Sequence, residues 1–149
     1  MTPQQFAAHL LAEPRRCGTY RIAAGWATEH STPELSWKTL APLPRIDKDS
    51  LLDALGRALD FPAYYGRNWD AAWDCLTELD WPDGRVLVVH LPIPADRALD
   101  DAALATFLGL LGDASRHWAA QGRALCLLVE ATQPAPPALA GIPDAASAG

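Results

Sequence analysis

The sequence predicts an α/β fold: a small, mainly parallel sheet packed against helices, preceded by an N-terminal extension. Three observations carry this reading. RVLVVHL (85–91) and RALCLLVE (123–130) are almost wholly β-branched or aliphatic, the composition of strands buried on both faces. The intervening ADRALDDAALATFLGLLGDASRHWAAQG is long enough for a crossover helix, and strand, helix, strand implies parallel pairing. Half of the 149 residues are hydrophobic and a fifth are charged, which suits one ordinary globular domain.

In chain order, Phe6, Ala7, Leu10 and Leu11 recur at helical spacing and Pro14 stops the pattern, so residues 1–13 should form a short peripheral helix. GTYRIAAGW and LSWKTLAPL each hold strand-like residues, separated by the turn-rich ATEHSTPE, and predict one or two extended segments. KDSLLDALGRALD sets Leu51, Leu52, Leu55, Ala58 and Leu59 on one helical face, with Asp49 or Ser50 as cap and Phe61-Pro62 as terminator. A second helix should begin after Asn68, run to Leu79 and stop before Pro82-Asp83-Gly84. The crossover helix has two candidate breaks, at Gly109 and Gly112. The last nineteen residues hold four of the thirteen prolines and a single charge, which predicts a disordered tail over 131–149. Residues 1–34 read as the extension and 35–130 as the domain proper.

Composition narrows function. The formal net charge is −6, so phosphate backbones and anionic lipid are disfavoured and a basic partner is favoured. No nucleic acid, membrane or cofactor is expected. Three cysteines with no C-x-x-C spacing suggest neither a disulfide framework nor a zinc site; reduced thiols are expected. The N-terminus has no basic start, apolar core and cleavage site, and no run of eighteen apolar residues occurs, which makes a cytoplasmic protein the expectation.

The most informative stretch is PAYYGRNWDAAWDCLT (62–77). At 100° per residue from Asp70, Asp74 falls at about 40°, Glu78 at about 80° and Thr77 at about −20°, one polar stripe. Ala72, Cys75, Leu76, Leu79 and Trp69 fall on the opposite, buried side, and Trp73 sits on the boundary at about −60°. An ordinary solvated helix face would compensate its carboxylates, yet residues 68–84 carry Asp70, Asp74, Glu78, Asp80 and Asp83 with no Lys or Arg. Glycosidase chemistry wants two carboxylates facing each other across a substrate, and metal binding wants converging oxygens; one helix row offers neither unaided. Ser115, His117 and Cys126 lie in no nucleophile motif. Recognition of a basic partner is the remaining use of carboxylates flanked by tyrosine and tryptophan.

At these residues the sequence resembles the barstar-like intracellular ribonuclease inhibitors, closely over FPAYYGRNWDAAWDCLTEL and loosely over residues 35–130. The resemblance implies a three-stranded sheet and an inhibitor that is not an enzyme. Its helix and preceding loop would plug the active site of a basic, secreted-type ribonuclease or a related nuclease toxin, as an immunity protein or antitoxin does. It places Tyr64, Asn68, Asp70, Trp73, Asp74 and Thr77 at partner contacts, with Asp74 in the enzyme's phosphate site; Trp69 and Glu78 complete the expected binding set. Gly66 matches the loop glycine, where a positive φ is expected. Arg67 stands where barstar itself has an acid and looser relatives allow a basic residue, and His117 aligns with the family's other acidic contact. A monomer when free is expected. Two other readings stay open: a module of this fold with a different protein partner, and a metal-dependent hydrolase using the acidic stripe.

Overall fold

A computed structural model describes residues 1–26, 32–131 and 135–148. Its elements run α1 (Pro3–Ala12), β1 (Thr19–Ile22), β2 (Leu35–Thr39), α2 (Lys48–Ala58), α3 (Trp69–Leu76), β3 (Val86–Ile93), α4 (Asp101–Ala119) and β4 (Leu125–Ala131). The strands form one wholly parallel sheet in the order β1-β4-β3-β2. The sheet therefore has four strands and not three. The additional strand comes from the N-terminal segment, which lies along the outer edge of β4 from Thr19 opposite Leu127 to Ile22 opposite Glu130. Covering an exposed edge removes a row of unpaired backbone groups.

Alternate residues of β3 serve different layers, as the period of two requires. Leu87, Val89, Leu91 and Ile93 face a core shared with α2, α3 and α4. Val86 and Val88, with Cys126 and Leu128 of β4, face a second core closed by α1. The helix expected at the periphery is thus structural: Phe6 and Leu10 are fully buried, and Phe6 meets Tyr20 and Trp26 edge-on at 5.1 and 5.5 Å. Its spacing was legible, but its weak amphipathicity hid the depth of burial.

The C-terminal segment also departs from expectation. Residues 135–148 pack on the domain instead of forming a disordered tail: Leu139 is fully buried against α4's core and Ala145 against α1's. The Arg21 amide donates to the Pro143 carbonyl at 2.8 Å, and the Ala138 amide to Asp101 Oδ1 at 3.0 Å. Composition argued correctly that this segment builds no core of its own; it completes cores built by others. Residues 132–134 and 149 of the expected tail, and residues 27–31 of the stretch expected to turn, lie outside the described residues.

Local signals explain the remaining boundaries. Asp47, earlier than expected, caps α2 by accepting from the Ser50 amide at 2.9 Å. α2 ends at Ala58, before the Phe61-Pro62 stop, through a left-handed residue at Asp60 (φ 53°). The Phe61 amide reaches back to the Gly56 carbonyl at 2.9 Å, the bond pattern that closes a helix end. β3 continues through Pro92, which has no amide to give to the sheet. α4 starts at Asp101, capped by Asp100, and passes Gly109 and Gly112 unbroken. Glycine weakens a helix without ending it when one face is firmly buried.

Candidate functional site

The loop 59–68 connects α2 to α3, and its shape is set by one aromatic ring. Tyr65 donates its hydroxyl to the Leu52 carbonyl at 3.1 Å, meets Phe61 edge-on at 4.9 Å, and lies against the backbone of Gly56. A Cβ at Gly56 would stand 2.8 Å from the ring, so α2 needs glycine there. Burial, more than its neighbours, pushes the Tyr65 phenol up to about 12, as suits an anchor that stays protonated. With Tyr65 turned inward, Tyr64 is turned outward and is 80% exposed.

The positive φ expected at Gly66 falls on Arg67 instead (φ 52°). A left-handed non-glycine residue costs roughly 1–2 kcal/mol. Gly66 is instead short of space: a Cβ there would sit 3.2 Å from Nδ2 of Asn68, which would have to give way by a few tenths of an ångström. Asn68 must keep its rotamer because its Oδ1 accepts from the Ala71 amide at 2.8 Å, capping α3 as expected.

α3 is shorter than the sequence suggested, ending at Leu76. Asp70 and Asp74 are exposed on the helix, whereas Glu78 is exposed on the turn after it. The Thr77 hydroxyl donates to the Asp74 carbonyl at 3.0 Å, fixing that end. Trp69, assigned to the interior by angle, is half-buried against the core, as is Trp73. Trp73 also meets His117 of α4 edge-on at 5.9 Å. Below the face, the Trp118 indole donates to the Leu76 carbonyl at 2.9 Å and ties α4 to the end of α3. Cys75 is buried; burial and then the Glu78 and Asp74 charges push its thiol up, making it a core residue and a poor nucleophile.

The chain's sequence matches the family model described as Barstar (barnase inhibitor) over residues 45–130, more than half its length. The chain belongs to the barstar family. A 33-residue segment is also 64% identical to "Putative ribonuclease inhibitor YrdF" of Bacillus subtilis (strain 168). That match spans 22% of this chain and 34% of the relative, about a third of its length.

In this barstar-family chain the charges are arranged unevenly. Among the described residues, Asp70, Asp74 and Glu78 make no ion pair, while carboxylates nearby do. Asp53 of α2 pairs with Arg57 at 3.1 Å and Arg67 at 3.6 Å, and Asp113 of α4 pairs with Arg116. The carboxylates of α3 and the turn after it are therefore uncompensated, while Asp53 of α2 and Asp113 of α4 are neutralised. Among the described residues no group of three or more His, Cys, Asp or Glu side chains is placed to hold a metal, and no helix is long and apolar enough to cross a membrane.

Of the residues the sequence singled out, Trp69, Asp70, Trp73 and Asp74 lie on α3, Tyr64 and Asn68 in the loop before it, and Thr77 and Glu78 at its end. Sequence reasoning missed Gly56, Tyr65 and Asp53, which position the loop. Gly56 inside an amphipathic helix was the available clue, since such a glycine costs about 1 kcal/mol relative to alanine and marks a close approach.

Proposed function

We propose that this protein inhibits a ribonuclease by docking α3 and the loop before it into the enzyme's active site. The carrying observation is that Asp70 and Asp74 stand exposed, without counter-ions among the described residues, on a capped helix backed by the α2 and α4 core. Carboxylates held that way can occupy the place of RNA phosphates and meet the cations that bind them. Nothing is turned over: the helix blocks access. Tyr64 and Trp73 supply the aromatic contact area that anchors such interfaces.

The partner chemistry that fits is a basic ribonuclease, secreted-type or a related nuclease toxin, with this chain acting in the cytoplasm as its immunity protein or antitoxin. A free monomer suits a face that must remain open. Membership of the barstar family and the similarity to a ribonuclease inhibitor over the shared segment support this reading. Titrating the protein against barnase and measuring RNA cleavage tests it: stoichiometric inhibition by the parent, lost in Asp74→Ala, is expected, and parent-like inhibition by Asp74→Ala refutes it.

A second reading has one specific observation behind it. His117, against Trp73 at the border of the face, offers an imidazole where the family has an acid. A barstar-fold module for a different protein partner would then bind through the same surface. Capture of a non-nuclease partner whose binding is lost in Asp74→Ala would decide for it.

A further inference from the structure

Arg67 is the one lysine or arginine between residues 58 and 84, and it immediately precedes the cap of the acidic helix. Its left-handed backbone aims it back toward α2, where its guanidinium lies 3.6 Å from Asp53. That distance exceeds a hydrogen bond, and Asp53 is already paired with Arg57 at 3.1 Å. Asp53 meets Arg57 through Oδ2 and faces Arg67 through Oδ1, so Arg67 holds only the longer, looser contact. The Arg67 side chain is 69% exposed, so its forked donors remain available to an outside group. The two arginines, Asp53 and Tyr65 line an open groove of about 290 Å³ between α2 and the loop. Asp60 on the same groove balances its charge overall, so what singles out Arg67 is position: an exposed cation at the border of an otherwise uncompensated acidic face.

We propose that Arg67 is a specificity-determining contact, selecting among nucleases with cationic active sites one that carries a carboxylate on the rim opposite the loop before α3. This rests on the docking role assigned to α3. A nuclease basic across its whole mouth sets a cation against Arg67, and like charges brought together at an interface reject that partner while the acidic stripe still attracts it. A nuclease with a rim carboxylate meets an exposed, planar donor that can bind it bidentately. Arg67 thereby converts a face that would attract any polycation into one that reads a charge sequence: cationic centre, anionic edge.

Phage-displayed barnase with the rim residues of its active-site mouth randomised among Asp, Asn and Lys supplies the probe. Selection runs separately on the immobilised parent, on Arg67→Glu and on Arg67→Asn, a residue that suits the left-handed backbone. The parent should enrich Asp over Lys at one rim position at least tenfold, Arg67→Glu should reverse that preference at the same position, and Arg67→Asn should bind without preference. Identical rim sequences on all three baits overturn the role of Arg67 alone. Retention of no barnase variant by the parent, or retention that survives Asp74→Ala, overturns the docking assignment and the proposal with it.

Discussion

The ring of Tyr65 lies across Gly56, close enough that a single methyl on α2 would stand 2.8 Å from it, while its hydroxyl is held by Leu52 one turn earlier on the same helix. This contact fixes where the chain leaves α2 and so where α3 begins. It couples a glycine with no exposed role to the presentation of Tyr64 and Asp70.

Gly56→Ala sets two effects against each other. Helix propensity favours alanine by about 1 kcal/mol, while overpacking costs roughly 1–3 kcal/mol. The ring is held at both its edge and its hydroxyl, so overpacking should win. Urea denaturation should show a net loss of up to about 2 kcal/mol, and inhibition of barnase should weaken although no residue of α3 has changed. A variant more stable than the parent would show that the ring moves freely.

Asp74→Ala should separate binding from stability. Loss of a carboxylate opposed to a buried cationic site costs about 2–5 kcal/mol of affinity. Removing one of two like charges at i,i+4 should stabilise the free protein by a few tenths of a kcal/mol. Glu78→Ala, beyond the end of α3, should matter less. Parallel inhibition titrations and urea curves on the three proteins check both halves.

At the helix start, Asn68→Ala removes the cap and should cost about 1 kcal/mol, whereas Asn68→Asp keeps an accepting oxygen and should cost little. Gly66→Ala should resemble Asn68→Ala, because the added methyl meets the capping side chain at 3.2 Å. If Gly66→Ala behaves as a strained left-handed alanine, insensitive to Asn68 in a double-mutant cycle, the spatial account of Gly66 is wrong.

Trp118→Phe deletes a buried indole donor and leaves the Leu76 carbonyl at the end of α3 without that partner. A loss of roughly 1–3 kcal/mol is expected. Hydrogen exchange should rise at the C-terminal turn of α3 before it rises in the sheet; uniform destabilisation would place the effect in core packing against Trp81 instead.

The Asp47 cap gives a pH dependence with a definite sign. The Ser50 amide it accepts holds its carboxyl below the ordinary value of 3.8, so the folded state binds this proton less tightly than the unfolded state. Its contribution is complete above that ordinary value and is lost as pH falls through the lower, folded one. Asp47→Asn caps in either range and should flatten this part of the acid limb. Urea midpoints compared at about pH 6 and about pH 3 should converge between parent and variant, or cross, only at the acid end.

How much of this could be read from the sequence follows from what each feature depends on. The helix around residues 48–58, the buried strands and the crossover between them are one-dimensional signals, periods and runs that neighbouring residues carry together. Asn68 as cap is equally local. The length of α3 was overestimated because Thr77 and Glu78 continue the periodicity while Thr77 turns back onto the Asp74 carbonyl. The role of Gly66 was misread for a related reason: the left-handed turn could sit on either of two adjacent residues, and only the packing of Tyr65 and the cap decided that Arg67 takes it.

The sequence by itself determined the α/β class, the parallel crossover, the acidic helix and the family, because each is written in spacing or in a contiguous motif. The tertiary structure alone decided the fourth strand, the burial of α1, the packing of residues 135–148 and the clamp of Tyr65 on Gly56. Those features depend on surfaces supplied by residues far apart in the chain. No local pattern carries the burial that one segment gains by completing another segment's core.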